Sequence, residues 1–490
     1  MAQKVCVIGG GFGGLSSACL LAHQGFQVTL LEKNDELGGR ARVWREDGFV
    51  FDMGPSWYLM PEVFDRFFEK LGRKRTDYYE LQKLNPFYRV FYSHDERVDI
   101  NEDLALTRQV FEGFESGGAE KLDRYLQQAE YKYNIAMGEF LYREYRNLFQ
   151  FLNRRLMTEG LRLNVFSSLD SEVSKYFSDR RAKQILEYAM VFLGASPSNA
   201  PALYSIMSHV DLNLGVYFPR GGMAALVEGM ERLARELGVD IRTGHPVRKI
   251  VVENGKASHV VTDQGDVPAD IVLSNADYAH TETELLEPRW QTYKERYWQK
   301  RIMAPTMFII YLGLNKKLKS LAHHNLYFAE HWEDHFSAIF KKPAWPEHPS
   351  YYVSCASYDD AAVAPKGKEN IFFLVPVAAG MDDTDDIRRR YADKILDHFE
   401  ELTGETLRDA IHIMRIYSHR DFAEDYNAYK GSALGIAHTL NQTAVFRPQQ
   451  RSRKVSNLYY AGQFTHPGVG VPMTFISAEI IAASIAEEHS

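Results

Sequence analysis

The order of apolar and polar positions near the amino terminus predicts a strand, a helix and a second strand in close succession. Residues 5–8 are an apolar run, and residues 15–24 repeat apolar positions at helical spacing. Gly25 ends this helix, and residues 27–32 form the next strand-like run. A strand–helix–strand order within about thirty residues predicts a βαβ unit with parallel strands.

Beyond this unit the pattern changes twice. The segment 85–214 is rich in helical and aromatic positions, whereas residues 223–237 form an amphipathic helix that Gly238 ends. Apolar runs at 303–314 and 370–377 are typical of buried strands in a second sheet. Further extended segments are predicted at 48–52, 214–219, 239–241, 247–252, 257–262, 271–274 and 458–461, and further helices at 61–72 and 471–487.

Composition narrows the class of protein. With 490 residues, 45% hydrophobic and 25% charged, the chain predicts a globular protein of two domains. A net charge of −8 argues against binding to a nucleic-acid backbone. The three cysteines show no metal or disulfide spacing, and the first residues lack a signal-peptide pattern, so we expect a cytoplasmic protein. The apolar runs are shorter than the ~18 residues of a spanning helix, which leaves a membrane-surface protein possible.

The glycine loop after the first strand predicts a dinucleotide site. Gly9, Gly11 and Gly14 have the spacing in which the first glycine makes a tight turn, the second admits the pyrophosphate and the third lets helix and strand pack closely. Free N–H groups at the start of the helix would face the phosphates. Glu32 ends the second strand, where a carboxylate accepts hydrogen bonds from ribose hydroxyls. This acid disfavours NADP, which carries a 2′-phosphate.

Two later loops favour FAD over NAD. Gly39 and Arg40 follow Glu32 closely, and an arginine there can neutralise the pyrophosphate. Near the carboxyl terminus a strand ends at Gly462, and a helix begins around Pro472, which is favourable in a first turn. A helix amino terminus stabilises the negative charge of a reduced flavin. The residues that we expect to contact FAD are Gly9, Gly11, Gly13, Gly14, Glu32, Lys33, Gly39, Arg40, Gly54, Pro55, Val247, Gly462, Gln463, Gly470, Val471 and Pro472.

These motifs define the expected architecture, because both ends of the chain carry strand–glycine–helix turns and the middle does not. We predict an α/β (α+β) fold with a Rossmann-like FAD-binding domain assembled from discontinuous segments, 1–84, 215–300 and 415–490. An inserted substrate-binding domain with a mixed sheet and helices, partly membrane-facing, is expected at 85–214 and 301–414.

Several segments resemble one enzyme family. The Gly-Gly-Arg-Ala loop at 38–41 and the segment 52–56 resemble the flavin amine-oxidase superfamily. Residues 85–89, 217–223 and the Thr-His-Pro-Gly-Val-Gly-Val-Pro stretch at 465–472 resemble bacterial-type phytoene and carotenoid desaturases. The resemblance implies bound FAD, an apolar polyene substrate, desaturation of a C–C bond in carotenoid biosynthesis, and peripheral attachment to the cytoplasmic membrane. Met473 and Phe475 are bulkier than is common in that family and are expected to reshape the flavin-facing end of the substrate tunnel.

The leading hypothesis is therefore FAD-dependent desaturation of phytoene or a later acyclic carotene. The alternatives are a desaturase of hydroxylated or shorter-chain carotenoids, a carotenoid isomerase, a flavin amine oxidase, and a prenyl-binding escort protein of the same fold without flavin. The terminal electron acceptor is open between oxygen and quinone. The number of double bonds introduced and the oligomeric state are also left open by the sequence.

The sequence gives few candidates for acid–base or metal chemistry. A side chain cannot accept a hydride, so the flavin must do so while the protein positions and desolvates the substrate. His466 is the weak candidate for an acid–base group, and a structural role for it is favoured. The pair His323 and His324 should face opposite ways on a strand and lacks a third ligand, so we predict no metal site.

The segment 125–166 carries the membrane hypothesis. It mixes aromatic and apolar residues with five arginines, and a basic, aromatic helical face can lie among lipid headgroups. A pair of helices packed inside the substrate domain explains the same pattern equally well. The arginines are Arg143, Arg146, Arg154, Arg155 and Arg162.

Overall fold

The computed structural model describes residues 2–145 and 167–489 and confirms the predicted α/β fold. The strands are β1 (Lys4–Ile8), β2 (Gln27–Leu31), β3 (Val43–Glu46), β4 (Phe49–Asp52), β5 (Leu81–Lys83), β6 (Tyr88–Phe91), β7 (Arg97–Ile100), β8 (Tyr217–Pro219), β9 (Asp240–Arg242), β10 (Val247–Glu253), β11 (Lys256–Thr262), β12 (Gly265–Pro268), β13 (Ile271–Ser274), β14 (Thr306–Leu314), β15 (His324–Tyr327), β16 (Tyr351–Ser354), β17 (Glu369–Val377), β18 (Ile411–Tyr417) and β19 (Leu458–Tyr460).

Short 3-10 and π-helical turns connect these strands to the α-helices. The helices are α1 (Phe12–His23), α2 (Pro61–Lys70), α3 (Leu104–Phe114), α4 (Gly118–Ile135), α5 (Leu169–Val173), α6 (Arg180–Glu187), α7 (Ile206–His209), α8 (Met223–Glu236), α9 (Tyr278–His280), α10 (Glu295–Gln299), α11 (Trp332–Phe340), α12 (Asp385–Thr403), α13 (His419–Tyr426) and α14 (Val471–His489). Within the described ranges, no helix is both long and apolar enough to cross a bilayer.

The amino-terminal βαβ unit belongs to a five-stranded parallel sheet with the order β19-β13-β1-β2-β9. Val5 pairs with Val28 on one side and with Ile271 on the other, which sets β1 at the centre. Parallel strands place their carboxyl ends at one edge of the sheet, where open α/β folds bind their ligands. The loops after β1, β2, β13 and β19 therefore meet at this edge, although the chain separates them by hundreds of residues.

A second, seven-stranded sheet has the order β18-β14-β17-β16-β15-β6-β7 and mixes parallel with antiparallel pairs. Its central strands β14 and β17 pair antiparallel from Thr306 with Val377 to Leu314 with Glu369. Every residue of both strands is buried. Burial on both faces explains why these segments are continuous apolar runs without alternation.

The beginning of the segment 85–214 differs from the helical expectation. Residues Tyr88–Phe91 and Arg97–Ile100 are strands, and β6 joins the second sheet by pairing parallel with β15. This pairing joins segments more than 230 residues apart in the chain, so local periodicity does not reveal it.

The expected domain boundaries can be compared with the strands. The five-stranded sheet takes its strands from the segments expected to bind the nucleotide, and β18 crosses the expected boundary at residue 415. The boundaries themselves stay a prediction. Much of the 125–166 segment lies outside the described residues; its described part begins within α4 and continues to Tyr145.

Candidate active site

A cavity of about 1130 Å³ is lined by residues from both sheets. Ordinary small-ligand pockets have volumes of about 300–1,000 Å³. One part is lined by the glycine loops at the carboxyl edge of the parallel sheet, and the other by apolar side chains of the second sheet and its helices. A cavity of this size and division can hold a dinucleotide and a second, apolar ligand.

The glycine loop of β1 is shaped by close backbone contacts. Gly9 has a φ of +97°, in the left-handed region that favours glycine, and a Cβ on Gly14 would lie 2.0 Å from the carbonyl oxygen of Gly9. Side chains at these positions would force α1 away from the loop. Helix α1 begins at Phe12 without a side-chain cap, so its first N–H groups stay available to an anion.

Glu32 carries the carboxylate that is predicted to accept hydrogen bonds from the ribose hydroxyls, and backbone N–H groups hold it in place. One carboxylate oxygen accepts a hydrogen bond from the N–H of Gly10 (2.7 Å) and the other from the N–H of Asn34 (2.9 Å). Each oxygen retains acceptor capacity, because a carboxylate oxygen has two lone pairs. The backbone thus fixes the carboxylate and leaves it able to accept from two neighbouring hydroxyls.

Arg40 is a half-buried cation that lines the cavity. Its Nη2 donates to the carbonyl of Ser432 over a long 3.4 Å, while its Nε has no hydrogen-bond partner. Burial lowers the pKa of Arg40, against an opposing influence from Asp277. An unpaired guanidinium N–H in a buried site is costly unless a ligand accepts its hydrogen bond, which fits an anionic pyrophosphate.

The loop before α14 forms the other end of this region. Gln463 lines the cavity, and its buried side-chain Nε2 has no partner. Behind the loop, the wholly buried Arg447 donates to the carbonyls of Gln463 (2.5 Å), Phe464 (3.2 Å) and Thr465 (3.2 Å). Arg447 therefore holds the loop in place from the side away from the cavity.

The predicted contact residues can now be located. Fourteen of the sixteen line the cavity, whereas Gly14 and Gly462 do not; a Cβ on Gly14 would meet the backbone of Gly9, and one on Gly462 the side chain of Asn275. Whether each of the fourteen touches the cofactor stays a prediction. The fourteen are Gly9, Gly11, Gly13, Glu32, Lys33, Gly39, Arg40, Gly54, Pro55, Val247, Gln463, Gly470, Val471 and Pro472.

His466 lines the cavity but is poorly suited to carry a proton. Its Nε2 donates to the carbonyl of Leu141 (3.1 Å), and burial lowers the pKa of His466 to about 4. The imidazole is therefore neutral at physiological pH. A structural role for His466 is consistent with this geometry, because the ring connects the carboxyl-terminal loop to Leu141 in the turns that follow α4.

The two bulky residues of α14 have different surroundings. Met473 lines the cavity, whereas Phe475 is wholly buried against Phe12, Phe64 and Phe67 and does not line it. Phe475 thus packs α14 against α1 and α2, so of these two residues Met473 alone adds bulk to the cavity wall.

The histidine pair belongs to the core. His324 Nδ1 is 2.7 Å from the hydroxyl of Tyr352, and His323 Nδ1 is 2.9 Å from a carboxylate oxygen of Asp359. Both residues are buried. No group of His, Cys, Asp and Glu side chains suited to hold a metal ion occurs in residues 2–145 and 167–489.

The apolar part of the cavity is lined by aliphatic and aromatic side chains. They come from the loop before α2, from α4 and the turns that follow it, from the turns around residues 188–210, and from β14, β16 and β17. Examples are Trp57, Tyr133, Phe140, Tyr188, Phe192, Ile206, Met207, Met307, Ile309, Tyr352 and Leu374. Such a lining excludes water and offers a long apolar ligand dispersion contacts.

Sequence motifs missed Asn275 and Arg447. Asn275 follows β13, its amide donates to the carbonyl of Ala461 (3.0 Å), and its side chain lies 2.6 Å from where a Cβ of Gly13 would be. It thereby joins the glycine loop to the carboxyl-terminal loop. Its position at the carboxyl end of a predicted parallel strand was the available signal for Asn275. Arg447 had no such signal.

The comparisons with known proteins agree with this geometry. The model of the flavin-containing amine oxidoreductase family matches residues 12–486 of the chain. The chain belongs to this family, binds FAD and is an FAD-dependent oxidoreductase. The free donors of Arg40 and Gln463, together with the glycine cradle, fit that cofactor.

Curated relatives place the chain more narrowly, in the carotenoid desaturase family. It is 45% identical to a carotenoid 3,4-desaturase of Haloarcula japonica, over 99% of this chain and 98% of the relative. It is 33% identical to a zeta-carotene-forming phytoene desaturase of Myxococcus xanthus, over 98% and 93%. A 4,4'-diapophytoene desaturase of Staphylococcus haemolyticus is 31% identical over 99% of both chains.

Solved structures show the same fold at low sequence identity. An oxidoreductase from Methanosarcina mazei superposes with a TM-score of 0.63 at 18% identity, covering 98% of this chain and 100% of that one. A putrescine oxidase variant gives 0.63 at 14%, covering 99% of both chains. A Rab GDI from Plasmodium falciparum gives 0.58 at 12%, covering 98% and 97%. The fold alone is therefore shared with an amine oxidase and with a Rab GDI.

Proposed function

We propose that the protein desaturates an acyclic carotenoid, phytoene or a later acyclic carotene. The observation that carries this proposal is the continuity of the apolar part of the cavity with the part lined by the glycine loops. The relative of highest identity among the three described acts, by its name, at C3–C4. We therefore favour a bond near one end of the polyene and a late step of desaturation.

Desaturation removes a hydride and a proton from neighbouring carbons. Bound FAD supplies the two-electron acceptor. The residues of the chain bind and orient the polyene and exclude water, which the aromatic and aliphatic lining supports. His466 is assigned a structural role in this proposal, because its pKa of about 4 leaves it neutral.

The sixteen predicted residues are the proposed contacts of FAD, and the fourteen that line the cavity divide by position. Gly11 and the start of α1 would bind the pyrophosphate. Glu32 would accept hydrogen bonds from the ribose hydroxyls, and Arg40 would neutralise phosphate charge. Gln463 and the start of α14 would lie against the flavin ring. The segments 1–84, 215–300 and 415–490 would form the FAD-binding domain, and the rest the substrate domain.

We also propose that the protein collects its substrate at a membrane surface. Phe446 lines the cavity yet is 51% exposed. Ile302 is 48% exposed, and its backbone N–H donates to Oε1 of Gln442 (3.0 Å), which lies in the same loop as Phe446. Exposed apolar side chains at a cavity mouth suit insertion among lipid tails.

A flotation assay with anionic vesicles tests this surface. Phe446→Ser should bind the vesicles less than the wild type. Leu106→Ser changes an exposed apolar residue away from the cavity and should bind as the wild type does. Equal binding by both variants would contradict the proposed surface.

The function itself is tested by product analysis. The FAD-loaded protein is incubated in vesicles with phytoene and with a conjugated acyclic carotene, with oxygen or a quinone as acceptor. We expect a product that has lost two hydrogen atoms and absorbs at longer wavelength. An unchanged mass with altered geometry would indicate an isomerase, and turnover of amines alone would indicate an amine oxidase. No conversion of any acyclic carotenoid would refute the proposal.

A further inference from the structure

The nucleotide part of the cavity is bounded by a turn that comes from a distant part of the chain. Helix α13 ends at Tyr426, and we call residues 424–427 the α13 turn. Asp425, Tyr426 and Asn427 line the cavity, as does Glu32, the predicted partner of the ribose. The turn and the nucleotide loops therefore share one cavity wall.

The loop after β2 holds the α13 turn through side-chain hydrogen bonds. Lys33 Nζ donates to the carbonyl of Glu424 and, at 3.4 Å, to Asn427 Oδ1. Asn34 Nδ2 donates to the carbonyl of Asp425 (3.1 Å). Because Lys33 and Asn34 directly follow the proposed ribose carboxylate in the chain, these bonds close the cavity wall at its ribose end.

An ion pair fixes the same turn from a second position. Arg42 Nη2 donates to Asp425 Oδ2 (2.5 Å), and Tyr417 Oη donates to the same oxygen (2.7 Å). The side chains of Arg42 and Asp425 are 16% and 29% exposed, so solvent screens their attraction only in part. Arg42 does not line the cavity, so it holds the turn without being a candidate contact of FAD.

The α13 turn lies between the proposed pyrophosphate site and solvent. The guanidinium of Arg40, the proposed phosphate ligand, is 5.2 Å from the ring centroid of Tyr426. Arg248 lines the same cavity and is exposed, so the cavity reaches solvent at its nucleotide end. Burial lowers the pKa of Lys33, and the charges of Asp425 and Arg248 both act on that pKa, which places the exposed end close to the turn.

We propose that the α13 turn is a latch over the nucleotide part of the cavity, and that its opening controls the entry and release of FAD. The turn ends a helix of only eight residues and is held by side-chain contacts, so it can open while both sheets stay intact. The inference goes beyond the proposed function, because it concerns exchange of the cofactor and not the substrate.

The rates of FAD exchange give the test. FAD fluorescence is followed by stopped flow, on mixing apoprotein with FAD for association and on rapid dilution of the FAD-loaded protein for dissociation. Arg42→Gln should raise both rate constants by about 5- to 50-fold, as loss of a partly screened charged hydrogen bond predicts. The dissociation constant should change much less, because an open latch lies on the path of FAD in both directions.

A matched ion pair supplies the control. Arg89 and Asp99 form two hydrogen bonds (2.7 and 2.9 Å), their side chains are 17% and 33% exposed, and neither residue lines the cavity. Arg89→Gln should therefore leave both rates at their wild-type values. Asp425→Asn should act as Arg42→Gln does, and combining the two should add little, because both weaken the same contact.

Ionic strength tests the latch in the unmodified protein. Added salt screens the ion pair, so it should speed association and dissociation of FAD in the wild type and have less effect in Arg42→Gln. Faster dissociation with unchanged association would overturn the latch, since it would show a contact that stabilises only bound FAD. Unchanged rates in Arg42→Gln, or an equal rise in Arg89→Gln, would also overturn it. These rates are measured without a carotenoid, so the latch can fail while the proposed function stands.

Discussion

Replacing Gly11 by alanine tests the role of the glycine loop. Gly11 precedes α1 with a φ of −73° and a ψ of 176°, which alanine adopts without strain. The added Cβ would lie 3.1 Å from Asn275 Oδ1 and 3.9 Å from the Cα of Gly39, on a residue that lines the cavity. The fold should therefore survive while the methyl group keeps the pyrophosphate from the backbone N–H groups.

The expected loss follows from the hydrogen bonds affected. Displacing the pyrophosphate removes one or two charge-assisted hydrogen bonds of about 1.5–3 kcal/mol each. FAD affinity should therefore fall by about 10- to 150-fold for each bond that is lost. Isothermal titration of the apoprotein with FAD measures this fall. The control is Gly113→Ala in α3, where a Cβ meets nothing within 4 Å. An unchanged affinity in a folded Gly11→Ala protein would refute this account of the loop.

Three further predictions address the histidines and Arg447. The pKa of His335 is lowered by burial to about 4, so its stabilising contribution is present above pH 6.5 and lost as pH falls toward 4. His335→Gln should remove up to about 3 kcal/mol of the acid dependence of unfolding, and an unchanged dependence would contradict this. His466→Gln should keep most activity, with the wild-type pH–rate profile; loss of one limb of that profile would instead indicate an acid–base role. Arg447→Leu leaves at least three buried carbonyls without their donor, so it should destabilise the protein by more than about 2 kcal/mol in denaturant unfolding and weaken FAD binding; unchanged stability would contradict this role of Arg447.

The nucleotide loops could be predicted because their chemistry is local. The roles proposed for Gly9, Gly11 and Glu32 rest on a strand–turn–helix–strand order that occupies consecutive residues. The buried strands β14 and β17 were visible for a similar reason, since burial on both faces leaves an apolar run.

The substrate end could not be predicted in the same way. Asp211 meets Tyr88 across 123 residues of chain, and the family-like segment 85–89 that contains Tyr88 does not reveal this contact. Gly14 was predicted to let helix and strand pack closely, and its Cβ position is indeed filled by the backbone of Gly9; its predicted contact with FAD stays a prediction. Local patterns identify which residues a turn requires, whereas the side chains that face a cavity depend on how distant elements pack.

The central claim is that a carotenoid and FAD exchange two electrons in one cavity, and an anaerobic single turnover tests it most directly. The FAD-loaded protein is mixed with less than one equivalent of an acyclic carotenoid, and the oxidised-flavin absorbance and the carotenoid mass are followed together. We predict that one flavin is reduced for each carotenoid that loses two hydrogen atoms. Carotenoid desaturation without flavin reduction, or no change in either, would contradict the account.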